Sequence, residues 1–192
     1  RTTRGTRTYT DQIIDELGAE SARGASVNLP LPMETTGDVF LKAYEALVPP
    51  LARAFCPDLM VTQLGCDGHY SDPLTHMALT VSTYQELARR LHGLAHDLTG
   101  GRWLALGGGG YQAYTVVPRA WTAVLAEMAG VTLEEELPED WRRLCLERGA
   151  QRPPRFLIGE EEEPPPAPSG LAEEVERLVA EVRESVFPLV GA

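Results

Sequence analysis

Residues 61–73 read VTQLGCDGHYSDP and bring Asp67, His69 and Asp72 close together in the chain. Carboxylates and imidazoles can hold a metal ion or carry a proton. An apolar run that includes Leu59, Met60, Val61 and Leu64 leads into Gly65 just before them. The run has the character of a buried strand, so the three side chains sit just past its C-terminal end, where open α/β sheets bind ligands. The design recurs at 103–111, WLALGGGGY, a short apolar strand ending in four glycines and Tyr111. Glycine backbone can approach a ligand closely, and a phenol there can hydrogen-bond a bound carbonyl. Two strand ends with polar chemistry beside flexible backbone suggest an active site.

Competing readings narrow the set. Cys66 adjoins Asp67, but no second cysteine lies at ligand spacing, so a small buried residue beside the strand end is the better reading. No lysine follows the glycine run where a nucleotide-binding loop needs one. Asp72 precedes Pro73 and reads as a turn and loop-bracing residue rather than a ligand. Gln63 lies within the strand, where its amide needs a partner and could steady the neighbouring loop. His92 and His96 fall one helical turn apart. That spacing can bind metal, but with no third ligand nearby they read as a surface pair.

The elements that must position these groups follow from periodicity. Residues 24–31 read as a short strand ended by Pro30 and Pro32. Apolar residues from Val39 to Phe55 recur at helical spacing, with Asp38 as N-cap and Pro49 and Pro50 expected to kink or interrupt the helix. Strand 58–64 leads to the Asp67 loop. Thr80 or Ser82 caps a helix over 83–99, which Gly100-Gly101 ends. Strand 102–107 and a helix over 113–129, ending at Gly130, complete the pattern. This alternation predicts βαβ units and a parallel sheet covered on both faces. Residues 160–170 are acidic and proline-rich, and Leu171, Val175, Leu178, Val182 and Val186 then form the stripe of a last helix that docks back onto the domain. The expected division is 1–150 as the main domain, 151–170 as linker and 171–192 as C-terminal helix; residues 1–14 match nothing.

With 192 residues and 43% hydrophobic content, the chain can build a real core. A net charge of −11 excludes nucleic-acid binding by bulk electrostatics. No apolar run approaches a membrane span, and the N-terminus is no secretory signal. Three unpaired-looking cysteines fit a reducing cytoplasm. The first residue is not methionine, so the sequence reads as a piece of a longer protein.

QLGCD, DPLTHMALT at 72–80 and LGGGGY at 106–111 together resemble the C-terminal half of the histone deacetylase superfamily. DPLTH and VVPRAW at 116–121 are most similar to the bacterial acetoin utilization deacetylases, and SVNLPLP at 26–32 resembles the family's preceding strand. The resemblance implies a three-layer α/β/α fold of the arginase/deacetylase type with its N-terminal half absent. It implies that Asp67 is one ligand of a Zn²⁺ site (Fe²⁺ as the alternative metal) completed by another aspartate and a histidine. It makes Tyr111 the donor to the acetyl carbonyl, sets Gly109 and Gly110 in the wall of an acetyl-lysine tunnel and puts Leu74 at its rim, where a core leucine is nearly as good a reading. His69 and His76 match neither the family's zinc ligand nor its base and become supporting or rim residues, alongside Gln63 and Asp72.

The substrate so implied is an acetyl-lysine on a protein, for instance an acetylated acyl-CoA synthetase, or a small acetylamine such as an acetylpolyamine. A homo-oligomer is compatible with it. One departure is large: the family's tandem histidines and Asp-x-His motif are absent from this sequence. Two zinc ligands and the water-activating base are therefore missing, so the isolated chain is expected to be inactive. A catalytically dead module acting by protein contact is the other reading.

Overall fold

The computed structural model describes residues 14–159 and 163–192. The unmatched N-terminal residues before Ile14, and Glu160 to Glu162 of the acidic run, lie outside them. Two compact units form: one from residues 33–41 and 57–168, the other from the described residues up to Pro32 with 42–56 and 169–192.

In the first unit β1 (Met60–Gln63) pairs in parallel with β2 (Trp103–Leu106), Met60 opposite Trp103 and Gln63 opposite Leu106. Helix α1 is Gly37–Phe55, and the crossover between the two strands is helix α2, Val81–Thr99. Thr80 caps α2, its N–H donating back to Thr83 Oγ1 at 3.3 Å, and Gly100 in the left-handed region closes it, as expected. Helix α3 (Val117–Ala129), with Pro118 in its first turn, packs on α2. Ala88 of α2 and Ala120 and Val124 of α3 share one core with Cys66, Leu79 and Tyr84, and Trp103 packs against it. A further short helix, α4 (Glu139–Glu147), was not foreseen.

The sheet departs from expectation in one respect. Met60, Thr62, Trp103 and Ala105 are partly buried, whereas Val61, Gln63, Leu104 and Leu106 are exposed. The helices share the core on the Trp103 side, so only one face is covered. The exposed face carries Val61 at 54%, Leu104 at 49% and Leu106 at 49%.

Local expectations are adjusted in three places. Residues 24–31 form no strand. The N–H of Gly24 turns back to the Leu17 carbonyl at 2.6 Å, and Pro30 and Pro32 have no N–H to offer a ladder. Helix α1 is not interrupted at Pro49 and Pro50, and Leu47 before them and Leu51 after them both pack in the core of the second unit. It also starts before Asp38: Thr36 precedes it, its carbonyl accepting the Phe40 N–H at 2.9 Å.

The second unit packs Leu47 of α1 and Ile14 and Leu17 against α5 (Leu171–Val190), whose stripe of Leu178, Val182, Val186 and Phe187 is buried as its spacing requires. Leu178→Ala should therefore cost about 2–5 kcal/mol in a urea titration of the chain, whereas Leu104→Ala on the exposed sheet face should cost only about 0.5 kcal/mol. Equal losses would mean that the sheet face is covered.

Candidate active site at the strand ends

Parallel pairing sets the C-terminal ends of β1 and β2 side by side, so the Asp67 and glycine loops leave the sheet at the same edge. The ladder continues past the strands. Leu64 N–H donates to the Leu106 carbonyl at 2.8 Å, and Cys66 N–H to the Gly109 carbonyl at 2.7 Å. The contact is too close for side chains. A Cβ at Gly109 would fall 2.6–2.8 Å from the carboxylate atoms of Asp67. Gly110 has φ of +149°, and a Cβ there would meet Cys66 Sγ at 2.5 Å. Within the run only Gly110 has positive φ; Gly109 is needed for close approach instead.

Asp67 thus lies with its carboxylate over the Gly109 main chain, and Thr75 Oγ1 donates to its Oδ2 at 3.2 Å. Asp72 is buried and joins both loops. Its Oδ1 accepts the N–H groups of Leu74 at 2.9 Å and Thr75 at 3.2 Å, and its Oδ2 accepts the Tyr111 N–H at 2.8 Å. Gln112 Nε2 adds a bond to the Ser71 carbonyl at 2.8 Å. Asp72 thus braces its own loop and also reaches the second one, where it fixes the backbone from which Tyr111 projects. The phenol of Tyr111 is left accessible, the residue being 53% exposed, and Leu74 is 62% exposed, which excludes the core reading of that leucine.

The other readings sort by burial. His69 is buried, not at a rim. The Ser71 N–H donates to its Nδ1 at 3.2 Å, so the neutral ring carries its proton on Nε2. His76 is exposed. Gln63 is on the exposed sheet face, so its amide is not a buried group that requires a protein partner. Burial pushes the Cys66 thiol up to about 11, with the charges of Asp67 and Asp72 adding to it, and its side chain packs in the core with Leu79 and Tyr84.

Two supporting residues escaped the sequence reading. Tyr84 is buried beneath the Asp67 loop, where a Cβ at Gly68 would meet its hydroxyl at 3.0 Å, and burial raises its phenol well above the ordinary value. Its spacing from Val81 and Ala88 on one helix face was the available signal. Arg119, within VVPRAW, is buried and donates to the carbonyls of Phe156 at 3.1 Å and Leu157 at 3.0 Å and to that of Gly159, tying residues 156–159 to α3. Beside Tyr111 a cavity of about 720 Å³ opens, bordered by Gln112, Arg119, Arg148 and Arg152.

The edge thus presents one carboxylate able to ligate a cation and one phenol able to donate to a developing oxyanion. Among the described residues no group of three His, Cys, Asp or Glu side chains converges as a metal site.

Asp72→Ala should remove the acceptor for three N–H groups, lower stability by about 1–3 kcal/mol and accelerate hydrogen exchange at the Tyr111 amide. Unchanged exchange there would show that the loops hold without it. At pH 8, iodoacetamide should modify exposed Cys56 and spare Cys66 in the folded chain. Because the folded thiol titrates above its ordinary value of 9.0, its contribution to stability is complete below that pH and is lost as pH rises towards about 11. Labelling of Cys66 as fast as Cys56 would contradict the burial.

The pattern of the histone deacetylase domain matches residues 9–128. The acetoin utilization protein AcuC of Bacillus subtilis (strain 168) is 44% identical over 128 residues, 67% of this chain and 33% of that protein. AcuC of Staphylococcus xylosus is 40% identical over 127 residues, 66% of this chain and 33% of that protein. The crystal structure of an HDAC homolog complexed with SAHA superposes with a TM-score of 0.71 at 23% identity, over 88% of this chain and 45% of that one. The chain spans about a third of the length of these curated relatives, and its α/β fold is that of part of the deacetylase domain. The domain pattern covers more than half of the sequence and includes both loops of the strand-end site: the chain belongs to the histone deacetylase family.

Proposed function

We propose that this chain supplies the Asp67 and Tyr111 side of a zinc-dependent deacetylase site that hydrolyses an acetyl-lysine or related acetylamine amide to acetate and a free amine. The observation that carries the reading is the joining of the two loops: the Cys66–Gly109 hydrogen bond and the Asp72 carboxylate hold Asp67 and the Tyr111 backbone on one edge of the sheet.

The donor set of the described residues does not by itself fit catalytic zinc, which takes three protein ligands. Asp67 would be one of them; the remainder of the deacetylase domain would supply the others and the base. The part derived for this chain is therefore limited. Tyr111 O–H donates to the carbonyl oxygen as charge grows on it, a contribution of about 3–4 kcal/mol by analogy with other oxyanion donors. Gly109 and Gly110 let main chain line the channel without side-chain obstruction, and exposed Leu74 stands at its rim. Substrate is an acetylated protein or a small acetylamine. The same incomplete donor set favours a second reading, a non-catalytic module. Among the described residues no helix is long and apolar enough to cross a membrane.

A chimaera in which residues 9–128 replace the matching part of the Bacillus subtilis relative tests this, with that relative as control. It should release acetate from an acetyl-lysine peptide or an acetylpolyamine, and comparing the two distinguishes the substrate classes. Tyr111→Phe should slow it about 10²–10³-fold, and Asp67→Asn should abolish activity and weaken zinc binding. A folded but inactive chimaera beside an active control would favour the non-catalytic module. The 192-residue chain alone should bind zinc weakly, and tight stoichiometric uptake through Asp67 would overturn the shared-ligand assignment.

A further inference from the structure

We propose that His92 and His96 form a second metal site, a two-imidazole chelate for a late divalent transition ion such as Ni²⁺ or Cu²⁺, on α2 and independent of the strand-end site. The two residues are one turn apart on the helix, so their rings lie on one face. Their Nε2 atoms are 2.9 Å apart, with ring centroids separated by 4.8 Å and planes inclined by 28°.

The His92 ring is held from behind. His92 Nδ1 lies 2.6 Å from the Glu127 carbonyl oxygen of α3. A carbonyl only accepts, so Nδ1 carries a proton and, in the neutral ring, the Nε2 lone pair faces His96. This is the arrangement that fixes metal-binding histidines elsewhere, the second nitrogen donating to a carbonyl. His96 rests over the turn after α2: a Cβ at Gly101 would approach its Cε1 to 3.2 Å and its Nδ1 to 3.3 Å. Glycine at that position leaves room for the ring.

The spacing brings both Nε2 atoms within reach of one ion. With metal–nitrogen bonds of about 2.0–2.1 Å, a right-angled corner separates two nitrogens by about 2.9 Å and a tetrahedral corner by about 3.3–3.4 Å. The observed 2.9 Å is the hydrogen-bond contact of the metal-free pair, close enough that a small ring movement lets one ion take both nitrogens; two imidazoles with water elsewhere suit Ni²⁺ or Cu²⁺, which lie high in the affinity order for nitrogen ligands. Without metal, His96 Nε2–H donates to His92 Nε2 across the same gap. On binding, His96 moves its proton to Nδ1 and offers the Nε2 lone pair, so the neutral pair loses no proton overall. Water fills the remaining positions, because no third His, Cys, Asp or Glu side chain converges there among the described residues.

Ni²⁺ alone is the suitable probe, since exposed Cys56 would reduce Cu²⁺. Calorimetric titration of the full chain should show one site. Paramagnetic broadening in its amide spectrum should centre on His92, His96 and Gly101. His96→Gln and His92→Gln should each weaken binding by more than the roughly 10–100-fold that loss of an outer supporting partner costs, and Asp67→Asn should leave it unchanged. His96 is exposed, so its variant keeps the test valid if His92→Gln fails to fold. Equal Ni²⁺ affinity in wild type and His96→Gln, or broadening centred on Asp67 or the N-terminus, would overturn the site.

Discussion

The structure around the site depends on one contact, the approach of two main chains beyond the ends of β1 and β2. Strand pairing normally stops where the strands diverge. Here the Cys66–Gly109 hydrogen bond extends it into both loops, which is possible only because residue 109 has no side chain. Asp67 takes the space a Cβ would need. The position of the carboxylate is therefore set by an absence on the neighbouring loop as much as by its own backbone. Asp72 then ties Tyr111 to the first loop by a charge-assisted bond to the backbone N–H.

What lies beneath the loops makes that contact rigid. Cys66 and Tyr84 are both buried as neutral groups in the core shared by α2 and α3. Their raised pKa values report an apolar floor. A functional edge on an apolar floor fits the general rule that reactive loops are positioned by a rigid scaffold. Among the described residues the sheet is small, two strands with one face covered. Such a pair gains its stability from helix packing, since two strands alone are marginal in water.

The parts of the fold legible in the sequence were those governed by local rules. Thr80, Gly100 and Gly130 mark helix ends by capping chemistry, and the stripe from Leu171 to Val186 marks the buried face of α5 by period alone. The errors arose where distant contacts outweighed local preference. Pro49 and Pro50 do not interrupt α1, whose residues on both sides of them pack in the core of the second unit. The strand expected at 24–31 is absent because a strand exists only with a partner, and the Gly24 N–H finds its acceptor at Leu17 instead.

The sequence by itself determined the family, the strand–loop placement of Asp67 and Tyr111, and the glycine character of the second loop, because each is written in contiguous residues. Tertiary structure alone decided that Asp72 reaches across to Tyr111, that His69 is buried and Leu74 exposed, that Arg119 anchors residues 156–159, and that His92 is oriented by Glu127. Each of these joins groups far apart in the chain or depends on what covers a side chain. Periodicity and motif spacing report only which residues share a face, and not which atoms meet across it.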